Sequence, residues 1–211
     1  MRNLYIIGAR GFGREVYELA VQTQEYKKDF DIIGFLDDKS DALNGFSGYP
    51  PIISSVEKFT PSDYDVFICA LGDVGYKRKY VDILLSKGGR FINLIHPTAY
   101  ISSNSKLGNG CIVGAYTRIS CDVIIGDFNT FQPFCAIGHD VVVGNYNHFN
   151  TYSFLGGGVR IGDLVTLHTG SIIHPKKIIG NSSIVGAGAV VLRNIQNQTT
   201  VYGNPAKKLI M

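Results

Sequence analysis

Two groups of residues in this 211-residue chain have the types and spacing to do chemistry. The first is His139-Asp140, preceded by Ile137-Gly138. A carboxylate beside an imidazole favours the imidazolium form, so the neutral ring becomes a stronger base. Neighbours in sequence need not hydrogen-bond, however, so the pair could equally be an inert surface dipeptide. The second is Gly8-Ala9-Arg10-Gly11-Phe12-Gly13, between an apolar run and an amphipathic segment. Glycines between a strand and a helix let backbone N–H groups approach a phosphate at the helix N-terminus. The spacing, G-x-x-G-x-G, departs from the usual dinucleotide fingerprint, and a plain tight strand-to-helix turn would also explain it. Asp37, twenty-four residues past Gly13, stands near the place of an acid that holds a ribose hydroxyl.

The element that must position His139 is a repeat. From Ile95 to Val191 every sixth residue is Ile, Leu, Val or Phe, seventeen positions without a gap. Nine of them are followed directly by Gly, and a small or β-branched residue recurs four positions later. A period of six is the hexapeptide signature of a parallel β-helix, with three hexapeptides per triangular coil of eighteen residues. The column and the small residues point inward, and the following Gly is expected to take the tight corner at positive φ. On this ruler Gly157 lies one coil above His139, within Leu155-Gly156-Gly157-Gly158, where a ligand can reach the backbone. His148 lies half a coil from His139, out of its reach within one prism. The two can meet only if one chain's corner faces another chain's side, as a symmetric trimer allows.

Ahead of the repeat, strands are expected at Leu4–Ile7, Ile32–Leu36, Asp65–Leu71 and Phe91–Ile95. Helices are expected over Arg14–Thr23 and up to about Lys87. Strands alternating with helices imply a small parallel sheet. The reading is therefore α/β plus β-solenoid: residues 1–94 a Rossmann-like βαβ domain and residues 95–211 the β-helix and C-terminal tail. About 90 residues make half a dinucleotide fold, which suits one nucleotide better than NAD.

A net charge of +3, with dispersed Lys and Arg, gives no support for nucleic-acid binding. The start, MRNLYIIGARGFG, lacks the run of a signal peptide or membrane span. Four cysteines without a CxxC fit a reduced, cytoplasmic compartment.

Five stretches together carry a family resemblance: IIGARGFGREV, the FLDD at Phe35–Asp38, the NLIHPTAYIS at Asn93–Ser102, the GHD at Gly138–Asp140 and the GNPAKK at Gly203–Lys208. The chain resembles, over nearly its whole length, the left-handed β-helix sugar acetyltransferases of the NeuD and PglD type. The left-handed coil, the homotrimer and acetyl-CoA as co-substrate, with no metal, are implied by that resemblance alone. It further implies His139 as general base with Asp140 raising its basicity, and the Gly157 N–H at the thioester carbonyl. His148, Thr169 and Ala187 match acetyl-CoA contacts. Gly8, Arg10, Gly11, Phe12, Asp37, Asp38 and Gly72 match contacts to a nucleotide-linked sugar, with position 10 variable among relatives. The implied reaction is direct N-acetylation of a UDP- or dTDP-linked 4-amino-4,6-dideoxy sugar.

Three other readings compete. O-acetylation of a sialic acid would use the same base, and a non-catalytic trimeric nucleotide-sugar binder would use none. A zinc hydratase on the same scaffold needs stacked histidines. Coil multiples from His139 land on Gly157 and Pro175, and from His148 on Thr166 and Ile184.

Overall fold

The computed structural model describes residues 1–209. Contacts divide the chain into two compact units, Met1–Pro97 and Thr98–Met211.

The first unit alternates strands and helices: β1 (Arg2–Ile7), α1 (Gly11–Gln22), β2 (Phe30–Leu36), β3 (Ile52–Ser54), β4 (Asp65–Cys69), α2 (Val74–Ser86), β5 (Arg90–Phe91) and β6 (Leu94–Ile95). The first five strands form a parallel sheet in the order β3-β2-β1-β4-β5. Strands β1 and β4 read as near-continuous apolar runs because both faces of a parallel sheet are covered; Leu4, Ile6, Phe67 and Ile68 are fully buried. Strand order reverses beside β1, so the carboxyl ends of β1 and β4 flank the crevice where such sheets hold ligands. Strand β3 falls in the Gly/Pro/Ser-rich segment 40–55, where alternation was too short to reveal it. The single strand expected over Phe91–Ile95 is two strands, broken at residues 92–93.

The second unit is a triangular solenoid of two-residue strands, each paired in parallel with the strand eighteen residues away. Face I runs through Ile112–Val113, Thr130–Phe131, His148–Phe149, Thr166–Leu167 and Ile184–Val185. Face II runs from Tyr100–Ile101 through Ala136–Ile137 to Val190–Val191, and face III from Lys106–Leu107 to Ile178–Ile179. The coil is left-handed. From Val113 to Val191 the column is buried, 0–4% exposed, each residue contributing roughly 1.5–3 kcal/mol. The column's first member, Ile95, lies in the end strand of the face I sheet, where it is 37% exposed. After Val191 the last coil is two residues short, since Ile195 bridges Ile179.

The corners correct one expectation. Glycines directly after the column do not take the left-handed conformation; that falls on the third residue after it, and mostly on non-glycines. Tyr116, Asp122, Phe128, Phe134, Asp140, Tyr146 and Tyr152 all have φ between 56° and 63°. The column glycines are there for room. A Cβ on Gly126 would lie 2.4 Å from the Asn145 side-chain oxygen and 2.7 Å from the Gly144 carbonyl. That oxygen belongs to a ladder up the III/I corner, in which Asn109, Asp127, Asn145 and Asp163 each donate a backbone N–H to the side chain eighteen residues on, at 2.6–2.9 Å. Inside, Asn129 accepts both the backbone and side-chain N–H of Asn147, at 3.0 and 2.9 Å. Its own amide donates to the Gly126 and Gly144 carbonyls.

Candidate functional site

His139 and Asp140 occupy the II/III corner, as the second and third residues past Ile137. Asp140 takes the left-handed slot, φ 58°, and its Oδ2 lies 2.6 Å from His139 Nδ1. An ionised carboxylate only accepts, so in the neutral ring Nδ1 carries the proton and Nε2 presents a lone pair. Both side chains are 65% exposed. The dipeptide, ambiguous in sequence, is thus an oriented pair.

Nε2 points at the next coil. A Cβ placed on Gly157 would sit 2.5 Å from Nε2 and 2.7 Å from Cε1 of His139. Any side chain at 157 would therefore displace the ring. A Cβ on Gly138 would fall 2.7 Å from the Gly157 nitrogen, so both glycines keep that amide approachable. The corner is held by Gly158 donating to the His139 carbonyl at 2.8 Å and Lys176 donating to the Gly157 carbonyl at 2.9 Å. The Gly157 N–H itself has no acceptor among the described residues. A base nitrogen and an unused N–H donor on adjacent coils can serve a nucleophile and a developing oxyanion.

His148 lies elsewhere, on face I. It is 3% exposed, and its Nε2 is 3.5 Å from the Gln132 amide nitrogen. Gln132 accepts from the Thr151 hydroxyl at 3.1 Å. Thr169 and Ala187 lie on the I/II corner, exposed and one coil apart, where Gly188 donates to the Thr169 carbonyl at 2.9 Å. Their backbone N–H groups make no hydrogen bond among the described residues. The solenoid therefore brings His139, Asp140 and Gly157 together and keeps His148, Thr169 and Ala187 on another side of the prism.

In the first unit a cavity of about 490 Å³ opens at the carboxyl ends of β1, β2 and β4. Six of the seven expected sugar-nucleotide residues line it: Gly8, Arg10, Phe12, Asp37, Asp38 and Gly72. Gly11 does not; it starts α1. The glycine loop is tight for steric reasons. Gly8 has φ +94°, and a Cβ on Gly13 would lie 2.0 Å from the Gly8 carbonyl oxygen. Arg10, the N-cap of α1, makes no side-chain cap bond, which leaves the helix N-terminus for an anion. Asp37 is a structural tie: its Oδ2 accepts the Ala9 N–H at 2.8 Å and its Oδ1 the Lys39 N–H at 2.9 Å.

Sequence reasoning missed Tyr76 and Tyr80, one helical turn apart on α2, which line the same cavity with rings 6.2 Å apart. Tyr80 donates a short hydrogen bond to Asp38. That bond, with burial adding to it, raises its phenol well above the ordinary range. The i, i+4 spacing of the two tyrosines was the available signal. No three His, Cys, Asp or Glu side chains cluster to hold a metal among the described residues.

Residues 3–84 match the PglD N-terminal domain family. The chain is 29% identical to UDP-N-acetylbacillosamine N-acetyltransferase of Bacillus subtilis (strain 168) over 119 residues, 54% of this chain and about half (52%) of that relative. It is 29% identical to GDP-perosamine N-acetyltransferase of Escherichia coli O157:H7 over 214 residues, 95% of this chain and 83% of that one. In structure it resembles PerB of Caulobacter crescentus, crystallised with CoA and GDP-perosamine. The TM-score is 0.88 at 27% identity, covering 100% of this chain and 98% of that one. With a PglD-like first unit followed by a left-handed hexapeptide solenoid, the chain is similar from end to end to PglD-type hexapeptide-repeat sugar acetyltransferases.

Proposed function

We propose that the protein transfers the acetyl group of acetyl-CoA to the amine of a nucleotide-linked amino sugar. The observation that carries this is His139 Nε2, oriented by Asp140 and directed at the side-chain-free Gly157. Neutral His139 takes a proton from the sugar amine as its nitrogen attacks the thioester carbonyl. The Gly157 N–H stabilises the tetrahedral oxyanion. Collapse of the intermediate breaks the C–S bond and expels CoA as thiolate, which takes up the proton held on His139. Base and oxyanion contributions of this kind are each about 10²–10⁴-fold.

The cavity at β1, β2 and β4 takes the nucleotide. Its phosphates lie toward the Gly8–Gly13 loop and the α1 N-terminus. Asp38, with one oxygen engaged by Tyr80, keeps acceptor capacity for donors on the nucleotide. The resemblance points to a UDP- or dTDP-linked 4-amino-4,6-dideoxy sugar; relatives named for UDP- and GDP-sugars make guanine the comparison. His148, Thr169 and Ala187 contact acetyl-CoA from a second copy, which supports a homotrimer with sites between subunits. The reaction needs no metal, and the cytoplasm supplies both substrates. No observation favours O-transfer to a sialic acid.

The test is acetyl-CoA turnover against UDP-, dTDP- and GDP-linked 4-amino sugars, with sialic acid alongside. Turnover of sialic acid alone, or undiminished turnover by His139→Ala, would overturn the reading. A monomer of full activity would overturn the shared site.

A further inference from the structure

One wall of the cavity in the first unit is made by two separate segments. Helix α2 brings Tyr76 and Tyr80, and the turn that follows β3, residues 55–59, brings Val56. Val56 is 1% exposed. Two lysines of the α2 segment reach across to that turn. Lys79 Nζ lies 3.3 Å from the Glu57 carboxylate. Lys87, the C-cap of α2, donates to the backbone carbonyls of Val56, Glu57 and Phe59 at 3.3, 2.6 and 2.8 Å.

The local chemistry explains the match. The 55–59 turn closes with one bond, from the Phe59 N–H to the Ser55 carbonyl at 3.1 Å. A single helical turn leaves its last carbonyls without a donor of its own. An ammonium has three N–H donors and accepts nothing, so Lys87 fills its whole donor set on three carbonyls of one turn. None of its bonds goes to a carboxylate among the described residues. Water would satisfy exposed carbonyls as well, whereas fixing a lysine side chain costs about 1.5–2 kcal/mol of rotamer freedom. What the lysine adds is a fixed place for the turn. The Phe59 end is already anchored on the sheet, with its ring 4.7 Å from Tyr5 and 5.7 Å from Phe67. The Val56 end faces the cavity, and Lys87 stands directly behind it.

We propose that Lys87 is a positioning residue for the nucleotide: it locks the 55–59 turn to α2, so the wall of Val56, Tyr76 and Tyr80 is set before the ligand arrives. A wall already in place spares the ligand the cost of ordering it. Lys87 acts through the turn's carbonyls and has no part in the chemical step. The role rests on the nucleotide-sugar reading above.

The experiment measures steady-state kinetics for Lys87→Met, which keeps the stem and removes the ammonium, and for Lys87→Arg. Lys58→Met is the control, because Lys58 is exposed on the same turn and forms no ion pair among the described residues. Lys87→Met should raise KM for the nucleotide sugar roughly tenfold, as expected for losing charge-assisted bonds. Kcat and KM for acetyl-CoA should stay unchanged. Lys87→Arg should fall between, since a planar fork cannot converge on three carbonyls. Hydrogen exchange supplies a second measurement. Amides 56–60 should exchange faster in Lys87→Met and return to the wild-type rate with saturating nucleotide. An unchanged nucleotide-sugar KM, a loss shared with acetyl-CoA or kcat, or an equal loss in Lys58→Met overturns the proposal. If the wild type shows no turnover, calorimetry with UDP, dTDP and GDP separates the two claims. A nucleotide bound by the wild type and roughly tenfold more weakly by Lys87→Met keeps the positioning role while removing the transferase reading. Binding of none of the three overturns both.

Discussion

Replacing Gly157 by alanine separates the site from its scaffold. The new Cβ would lie 2.5 Å from His139 Nε2, 2.7 Å from Cε1 and 3.1 Å from Cδ2, distances that no relaxed contact allows. The group that must give way is an imidazole 65% exposed, free to swing into solvent. Gly157 does not hold a left-handed φ, so alanine costs little in the backbone. Stability should therefore change by less than about 1 kcal/mol. The ring, once displaced, moves Nε2 by about 1 Å or more, and such misplacement costs on the order of 10²-fold in rate, about 2.7 kcal/mol. Gly156→Ala is the contrasting variant. Its Cβ would strike the ring and nitrogen of Pro175 at 2.7 Å, atoms that cannot rotate away, so it should lower the melting temperature. The assay is acetyl transfer alongside thermal unfolding of both variants. A Gly157→Ala protein with wild-type kcat would refute the reasoning that Nε2 must stand over that backbone.

Other perturbations read other parts of the molecule. Asn129→Ala removes the acceptor of two Asn147 donors and leaves the Gly126 and Gly144 carbonyls without its amide. Buried groups left unsatisfied cost about 1–3 kcal/mol each, so urea unfolding should show a loss of about 3 kcal/mol or more with no change in KM. A maleimide applied to native protein should label Cys121 alone, because it is exposed while Cys69, Cys111 and Cys135 are buried. Burial pushes the thiols of Cys69 and Cys135 up to about 12. Tyr80→Phe should eliminate a late-titrating phenol from the ultraviolet pH titration and weaken nucleotide binding. The folded state raises Tyr80 above its ordinary value of 10.0, so its contribution to stability is complete below pH about 10 and is lost as pH rises through the folded value. A titration identical to wild type would deny the Asp38 bond.

The column from Val113 to Val191 was legible because burial on a period of six leaves a trace in residue type. The ruler built on it placed Gly157 above His139 correctly. Ile95 followed the period and starts the face I sheet, yet it is exposed, since periodicity records type and not where a stack ends. The bends were illegible for a related reason. A left-handed φ at Tyr116 or Phe134 is imposed by the coil's closure, so glycine, the usual mark of that conformation, stands one slot past the column instead, where the neighbouring coil needs space. Asp37 was legible as an acid at the end of β2, but its two hydrogen bonds to Ala9 and Lys39 are long-range or local backbone contacts that no spacing rule encodes. Tyr80 escaped notice because a tyrosine on an amphipathic helix is ordinarily core or surface, and only the fold sets it against Asp38.

The left-handed slot in each corner has a consequence for how such a protein can change. Tyr, Phe, Asp, Leu, Lys, Ser and Gln all occupy it at φ between 54° and 63°, although the conformation costs an L-residue roughly 1–2 kcal/mol. The sharpest bend of the coil therefore accepts many side chains, although Phe128 there is buried and stacks on Tyr146. Where such a position is exposed, as at Asp140 and Lys176, its contents can be exchanged without revising the interior. Asp140 is one of them, so the orientation of the base depends on a place where the scaffold makes no demand of its own. A family built this way can edit its chemistry corner by corner, as text is changed on a ruled page.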